Sequence, residues 1–228
     1  MGEDTVRSLQ DLERIAASAS GNSQLDARRQ DRVNTDAYSG LDTTAESEAK
    51  AAYGGQDGDF HIRIGRDGTW YYQGSPIHRL ALVKLFATVL RREDDGSYWL
   101  VTPVERGTIV VEDAPFVAVE VDRETAASGA PEDARVIFRT NLDDIVAAGP
   151  DHPIRVAIAP DTGEPSPYVL VRHGLEALIS RSMYYRLVEM AEERVGVTGE
   201  TELGVWSERH FFPLGPPLET ARDGTVTG

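Results

Sequence analysis

From Phe60 to Leu214 the chain is cut by turn signals into short apolar or alternating stretches, and that spacing restricts it to a β-rich body. Phe60, Ile62 and Ile64 fall on one side of an alternating run, and His61, Arg63 and Gly65 on the other, the period of a strand with one buried face. Arg66-Asp67-Gly68-Thr69 supplies the Asp-Gly pair of a hairpin into Trp70-Tyr71-Tyr72, whose aromatics suit a pleated surface. Further strands are expected over 91–93 and 98–103, across the turn Asp94-Asp95-Gly96-Ser97, and then over 108–112, 116–122, 135–140, 154–159 and 168–172. Residues 203–206 and 210–213 read as a closing hairpin. Short strands at such intervals imply a sandwich or a partly closed barrel.

Two stretches carry helical periodicity. Gly74-Ser75-Pro76 predicts a turn into a helix over 77–89, with Ser75 as cap, Pro76 in the first turn, and Leu82, Phe86 and Val89 on the core face. The second helix is expected from Gly174 to about Arg194, with Met183, Tyr184, Leu187, Val188 and Ala191 on one face. Each helix follows a strand and a short turn, and each precedes a tryptophan-bearing strand. The fold class that follows is α+β and β-rich, with two related halves, each of antiparallel strands and one main helix. Residue identities do not repeat between them, so the order alone leaves duplication open. The expected organisation is a leader over 1–58, halves over 59–110 and 111–215, and a disordered tail over 216–228.

The leader carries 11 acids and 6 bases up to residue 57, and a short helix is expected over 4–17. The rest of the leader reads as disordered, or as a partner-binding arm. Cysteine is absent, which excludes disulfides, thiolate nucleophiles and cysteine-ligated metals. No apolar run is long enough to span a bilayer and Met1–Asp11 lacks the core of a secretory signal, so the expected location is the cytoplasm, with no transmembrane segment. A net charge of -15 argues against binding extended nucleic acid, but leaves room for a small anion in a local basic pocket.

Both predicted helix starts carry bases, His78 and Arg79 at the first, Arg172 and His173 at the second. Bases are unfavourable at the positive end of a helix dipole unless something negative compensates them. One reading is a phosphate or carboxylate held by backbone N–H groups with Arg79, Arg172 and Arg139 or Arg181. In the other reading the compensating acids are the protein's own, with Asp143 and Asp144 the candidates. Asn141 and Asp143, in the polar run Arg139 to Asp144, suit recognition of a base, sugar or amide edge, and equally suit turn chemistry. Glu112, Asp113 and Glu120 are candidates for paired carboxylates, but nothing in the sequence sets their separation. The five histidines lack metal-ligand spacing, and there is no phosphate-binding Gly-Lys loop or nucleophile elbow. Trp70, Tyr71, Trp99 and Trp206 are candidates for stacking on a planar ligand, and also for the core.

The combination of Arg66-Asp67-Gly68-Thr69-Trp70, Gly74-Ser75-Pro76-Ile77, Val101-Thr102-Pro103-Val104-Glu105, Glu112-Asp113-Ala114-Pro115-Phe116, Thr140-Asn141-Leu142-Asp143-Asp144 and Gly204-Val205-Trp206 resembles a proteobacterial family of uncharacterised proteins, known as a domain of unknown function. The resemblance covers roughly 59–215. It implies a duplicated fold with a pleckstrin-homology-like C-terminal half, a ligand site between the halves and a role in signalling. It implies no catalytic residue and no particular cofactor. The family's Leu-Trp-Asn-Pro-like entry is missing here. The resulting expectation is a non-enzymatic module for a small anionic or nucleotide-like ligand, with His78, Arg79, Arg139, Asn141, Asp143, Arg172, His173 and Arg181 as its binding residues. The alternatives are a metal-assisted hydrolase using Asp143, Asp144 or Glu112, and a protein–protein adaptor.

Overall fold

A computed structural model describes Arg14, Ala17 and residues 58–102, 105–196 and 199–216. Arg14 and Ala17 are helical, whereas the rest of the predicted 4–17 helix, the remainder of the leader and the tail beyond 216 lie outside the described residues. The chain divides into two compact units between Asp113 and Ala114.

The first unit holds β1 (Gly58–Ile64), β2 (Trp70–Tyr72), β3 (Ser75–Pro76), α1 (Leu80–Thr88), β4 (Leu90–Arg92), β5 (Tyr98–Val101) and β6 (Arg106–Val111). They form one six-stranded sheet in the order β3-β2-β1-β6-β5-β4. Only the central pair, β1 with β6, is parallel. The alternation read from the sequence is realised, for Phe60, Ile62 and Ile64 are buried with Trp70, Leu90 and Leu100. Phe86 of α1 is fully buried and stacks on Trp70 with ring centres 6.3 Å apart. Gly107 has to be glycine at this approach, because a Cβ there would lie 2.8 Å from the Phe60 ring.

The β1–β2 hairpin closes as its Asp-Gly pair predicts. Gly68 takes φ +80°, and the Asp67 carboxylate accepts the Thr69 N–H (3.0 Å) and hydroxyl (2.8 Å). The bond from the Thr69 N–H, followed by that from its hydroxyl, holds the Asp67 carboxyl below the ordinary aspartate value. A depressed folded-state pKa stabilises the fold above the unfolded value, and that contribution disappears as pH falls through the folded one. Asp67→Asn is therefore expected to lower stability at neutral pH and to match the parent in strong acid. Urea melts at the two pH values check this, and an equal gap at both would show that the charge plays no part.

One helix boundary differs from expectation. Ser75 and Pro76 do not cap a helix; they form edge strand β3, paired with Tyr72 and Tyr71, and α1 begins at Leu80 with Arg79 in the cap position. Gln73 (φ 47°) and Gly74 (φ 82°) make a two-residue hairpin turn, so the glycine serves a β return and not a helix entry. Pro76 is tolerated because an edge strand leaves its nitrogen without a ladder to join.

The second unit holds β7 (Phe116–Glu124), a 3-10 turn (Pro131–Asp133), β8 (Arg135–Thr140), β9 (Ile145–Ala147), β10 (Ile154–Ile158), β11 (Pro165–Arg172), β12 (Leu175–Ile179), α2 (Arg181–Glu189), β13 (Glu192–Val195), β14 (Thr201–Ser207) and β15 (His210–Pro213). Its six-stranded sheet, written β9-β8-β7-β12-β11-β10, repeats the first sheet strand for strand, again with a single parallel pair at the centre, β7 with β12. Each unit is thus two three-stranded meanders, with the first strand of one beside the last strand of the other. The two halves are related, and the chain is α+β and β-rich.

The repeat is not the strand–helix–tryptophan order expected from the sequence. In the first unit the helix joins the two meanders; in the second it follows the sixth strand, and Trp206 belongs to a separate sheet, β13-β14-β15. The predicted 174–194 helix is likewise three elements. His173 (φ 44°) and Gly174 (φ 73°) form a two-residue turn, Leu175, Ala177 and Ile179 are buried at a period of two on β12, and the helix spans only 181–189 before β13. Leu-Glu-Ala-Leu has high helix propensity, but pairing with β11 and β7 on both sides outweighs a preference of a few tenths of a kcal/mol per residue. The short strand β9 had no signal of its own, since Ile145 is exposed. No described helix is long and apolar enough to cross a membrane.

Candidate functional site

The polar run after β8 folds into a self-bonded turn. Buried Thr140 is its pivot, with its hydroxyl accepting the N–H groups of Leu142 (3.2 Å) and Asp144 (3.1 Å), while its own N–H donates to the Asp144 carbonyl (2.9 Å). Asp143 takes φ +67°, a left-handed conformation that aspartate tolerates better than most residues. Asn141 fastens the turn to the start of β7. Its N–H donates to the Val117 carbonyl (2.8 Å), and its side-chain oxygen accepts the Val117 N–H (3.0 Å).

Two arginines from different strands meet this turn. Arg139, on β8, donates to Asp143 (Nε to Oδ1, 2.9 Å) and to Glu120 on β7 (2.8 Å). These two carboxylates, Asp143 first, raise its pKa further. Arg172, at the end of β11, donates to Asp144 at 2.5 Å, and its guanidinium lies 4.8 Å from the centre of the buried Phe116 ring. The Arg172 and Asp144 side chains are 27% and 30% exposed, so the pair is reachable from solvent yet shielded enough to be held in one geometry. Adjacent acids of one turn therefore each hold one arginine.

The comparisons with known proteins bear on what this arrangement belongs to. Residues 54–114 match the model described as "Domain of unknown function (DUF1285), N-terminal domain", and residues 115–214 match "Protein of unknown function (DUF1285), C-terminal domain". The chain belongs to the DUF1285 family. It is similar to the crystal structure of a DUF1285 family protein from Silicibacter pomeroyi DSS-3, at 43% identity over 77% of this chain and 96% of that one, with a TM-score of 0.63. It is also similar to a DUF1285 family protein from Shewanella baltica OS155, at 29% identity over 56% of this chain and 90% of that one, with a TM-score of 0.44. No curated protein matches.

In this DUF1285 chain the structure brings Arg139, Asn141, Asp143 and Arg172 together, and His173 follows Arg172 as an exposed turn residue. Arg172 and His173 are not at a helix start, because they lead into β12. Arg181 is the residue that opens α2, at the opposite end of the five-residue β12, roughly 16 Å away. Its partners are Tyr185 (3.2 Å) and Glu164 (3.9 Å). His78 and Arg79 are exposed ahead of α1 in the other unit. The candidate acids for hydrolysis are all engaged with arginine: Glu112 with Arg63, Asp113 with Arg66, Glu120 with Arg139, and Asp143 and Asp144 as above. Among the described residues no three His, Asp or Glu side chains gather as a metal centre would.

A concavity of about 580 Å³ lies elsewhere in the C-terminal unit, lined by Pro131, Glu132, Asp133, Glu192, Trp206 and Arg209. Only Trp206 stood out in the sequence. Arg209 bonds Asp133 (2.8 Å) and Arg123 bonds Glu192 (3.0 Å), so its walls are cross-linked ion pairs. The Ser128 hydroxyl, followed by Arg209, holds the Asp133 carboxyl low. Its lining spans 131 to 209, a separation that no local pattern reveals.

Proposed function

We propose that this chain is a non-enzymatic, signalling-type module that binds a small anion, of the phosphate or nucleotide class, at the 140–144 turn of its C-terminal unit. The observation that carries this reading is the convergence of Arg139 and Arg172, from separate strands, on adjacent acids of one turn. A carboxylate and a phosphate present similar oxygen pairs to a guanidinium, and phosphate carries the greater charge. Asp144 then holds in place the arginine that an arriving anion would take over, with Phe116 keeping the guanidinium plane oriented. Asn141 keeps the turn in register on β7, and His173 adds a donor at the rim.

Competition supplies the test. Asp144→Asn removes the internal competitor and is expected to lower the resting melting temperature while tightening anion binding by roughly tenfold, about 1.4 kcal/mol. Arg172→Lys keeps the charge but loses the planar fork, and is expected to abolish most of the ligand-induced shift. Thermal shift and calorimetry with inorganic phosphate and nucleoside mono-, di- and triphosphates read both. The site is wrong if none of these anions raises the melting temperature of the parent or of Asp144→Asn, or if Arg172→Lys responds as the parent does.

A further inference from the structure

The 3-10 turn Pro131–Asp133 is fastened to the β14–β15 hairpin by its backbone. The Arg209 N–H donates to the Glu132 carbonyl (2.8 Å), and the Glu208 N–H to the Ala134 carbonyl (2.9 Å). Turn, hairpin and the first residue of β13 wall the cavity of about 580 Å³, and its one aromatic lining residue is the half-buried Trp206. Phe211 meets Trp206 edge to face, with ring centres 5.2 Å apart, but does not line the cavity. The Arg194 guanidinium lies 4.1 Å from the Phe211 ring centre and 5.8 Å from that of Trp206, and Glu202 holds it at 2.7 Å. These rings thus already carry one cation, and it sits closer to Phe211 than to the ring that lines the cavity.

The charges around the cavity pair off with one exception. Asp133 accepts the Arg209 Nε (2.8 Å) and the Ser128 hydroxyl (2.8 Å), and Glu192 accepts Arg123 (3.0 Å). The carboxylate of Glu132, exposed on the turn, has no partner among the described residues. Three carboxylates therefore meet two guanidinium groups, and the one negative charge left over is that of Glu132. An aromatic ring beside an uncompensated carboxylate attracts a cation through the ring quadrupole and through direct charge. An anion would be repelled by that carboxylate and would find the arginines already engaged. The volume falls within the roughly 300–1,000 Å³ of small-molecule sites. Backbone bonds and ion pairs already fix the walls, so a ligand has little left to order.

We propose that this cavity binds a singly charged organic ammonium ion, with its apolar body against Trp206 and Pro131 and its ammonium group beside the Glu132 carboxylate. The cavity shares no residue with the 140–144 turn, so either site can fail without the other. Three probes built on one phenethyl body separate charge from shape: phenethylamine is cationic, phenethyl alcohol neutral and phenylpropanoate anionic. Calorimetric titrations of the full chain are expected to show phenethylamine binding at least roughly tenfold tighter than the alcohol, with phenylpropanoate weaker still. Glu132→Gln, on an exposed turn, is expected to weaken phenethylamine roughly fivefold at unchanged melting temperature. Trp206→Leu is expected to weaken it by roughly tenfold. Glu193→Gln removes the same charge from the opposite face of β13 and is expected to leave the affinity unchanged. Where Trp206→Leu lowers the melting temperature, the comparison of Glu132→Gln with Glu193→Gln decides alone. The proposal is overturned if phenethylamine does not bind, if the alcohol or phenylpropanoate binds as tightly, if a stably folded Trp206→Leu binds as the parent does, or if Glu132→Gln loses no more affinity than Glu193→Gln.

Discussion

Phe86→Ala is expected to destabilise the N-terminal unit by about 3–5 kcal/mol, the cost of emptying a fully buried aromatic site whose walls relax only in part. Phe86 has no exposed surface and stacks on Trp70, which is itself buried, so the lost ring leaves a void between α1 and the sheet it covers. An apolar void of this kind stays dry and forfeits the dispersion contacts of its lining. Leu80→Ala, on the same helix but half exposed, is the control and is expected to cost well under 1 kcal/mol. Urea denaturation followed by tryptophan fluorescence compares the two. Equal, small effects would mean that α1 is not the cover of this core.

Ser207→Ala is expected to cost roughly 2–4 kcal/mol, although it removes a single oxygen. Ser207 has no exposed surface; its hydroxyl accepts the Val136 N–H (2.8 Å) and donates to the Ala148 carbonyl (2.6 Å). One side chain on β14 therefore serves backbone groups of β8 and of the segment just after β9. It joins the three-stranded sheet to the six-stranded one. Alanine fits the space but leaves a buried donor and a buried acceptor unpaired, and the cost comes from those orphaned groups and not from lost volume. Hydrogen exchange at the Val136 amide gives the specific readout. If that amide stays as protected as in the parent while global stability falls, the loss has another origin.

The turns show how far local reasoning reaches. Asp67-Gly68 and Asp95-Gly96 were legible because an Asp-Gly pair combines a side chain that bonds its own backbone with a residue free to take positive φ. Gln73-Gly74 and His173-Gly174 do the same work without the aspartate, so they read as entries to helices. Arg172 and His173 therefore stand at a strand turn and not at the helix start that the sequence suggests. Asp144, one of the two acids that the sequence offers as compensation, bonds Arg172, although residues 174–194 form β12, α2 and most of β13 and not one helix. In the same way Asp143 bonds Arg139, four residues away, where a local reading suffices.

Strand class, most strand positions and the hairpins built on Asp-Gly were determined by the sequence alone, since alternation and φ preference act within a few residues. Family membership was legible as well, carried by motifs spread from 66 to 206. The tertiary structure alone decided that β1 lies beside β6 and β7 beside β12, that the two sheets share one strand order, and that Pro131, Trp206 and Arg209 line one cavity. It also decided that Arg172 crosses Phe116 to reach Asp144, 28 residues away in the chain. Such pairings depend on which loop closures bury the most apolar surface at once, a property of the whole unit that no window of a few residues contains.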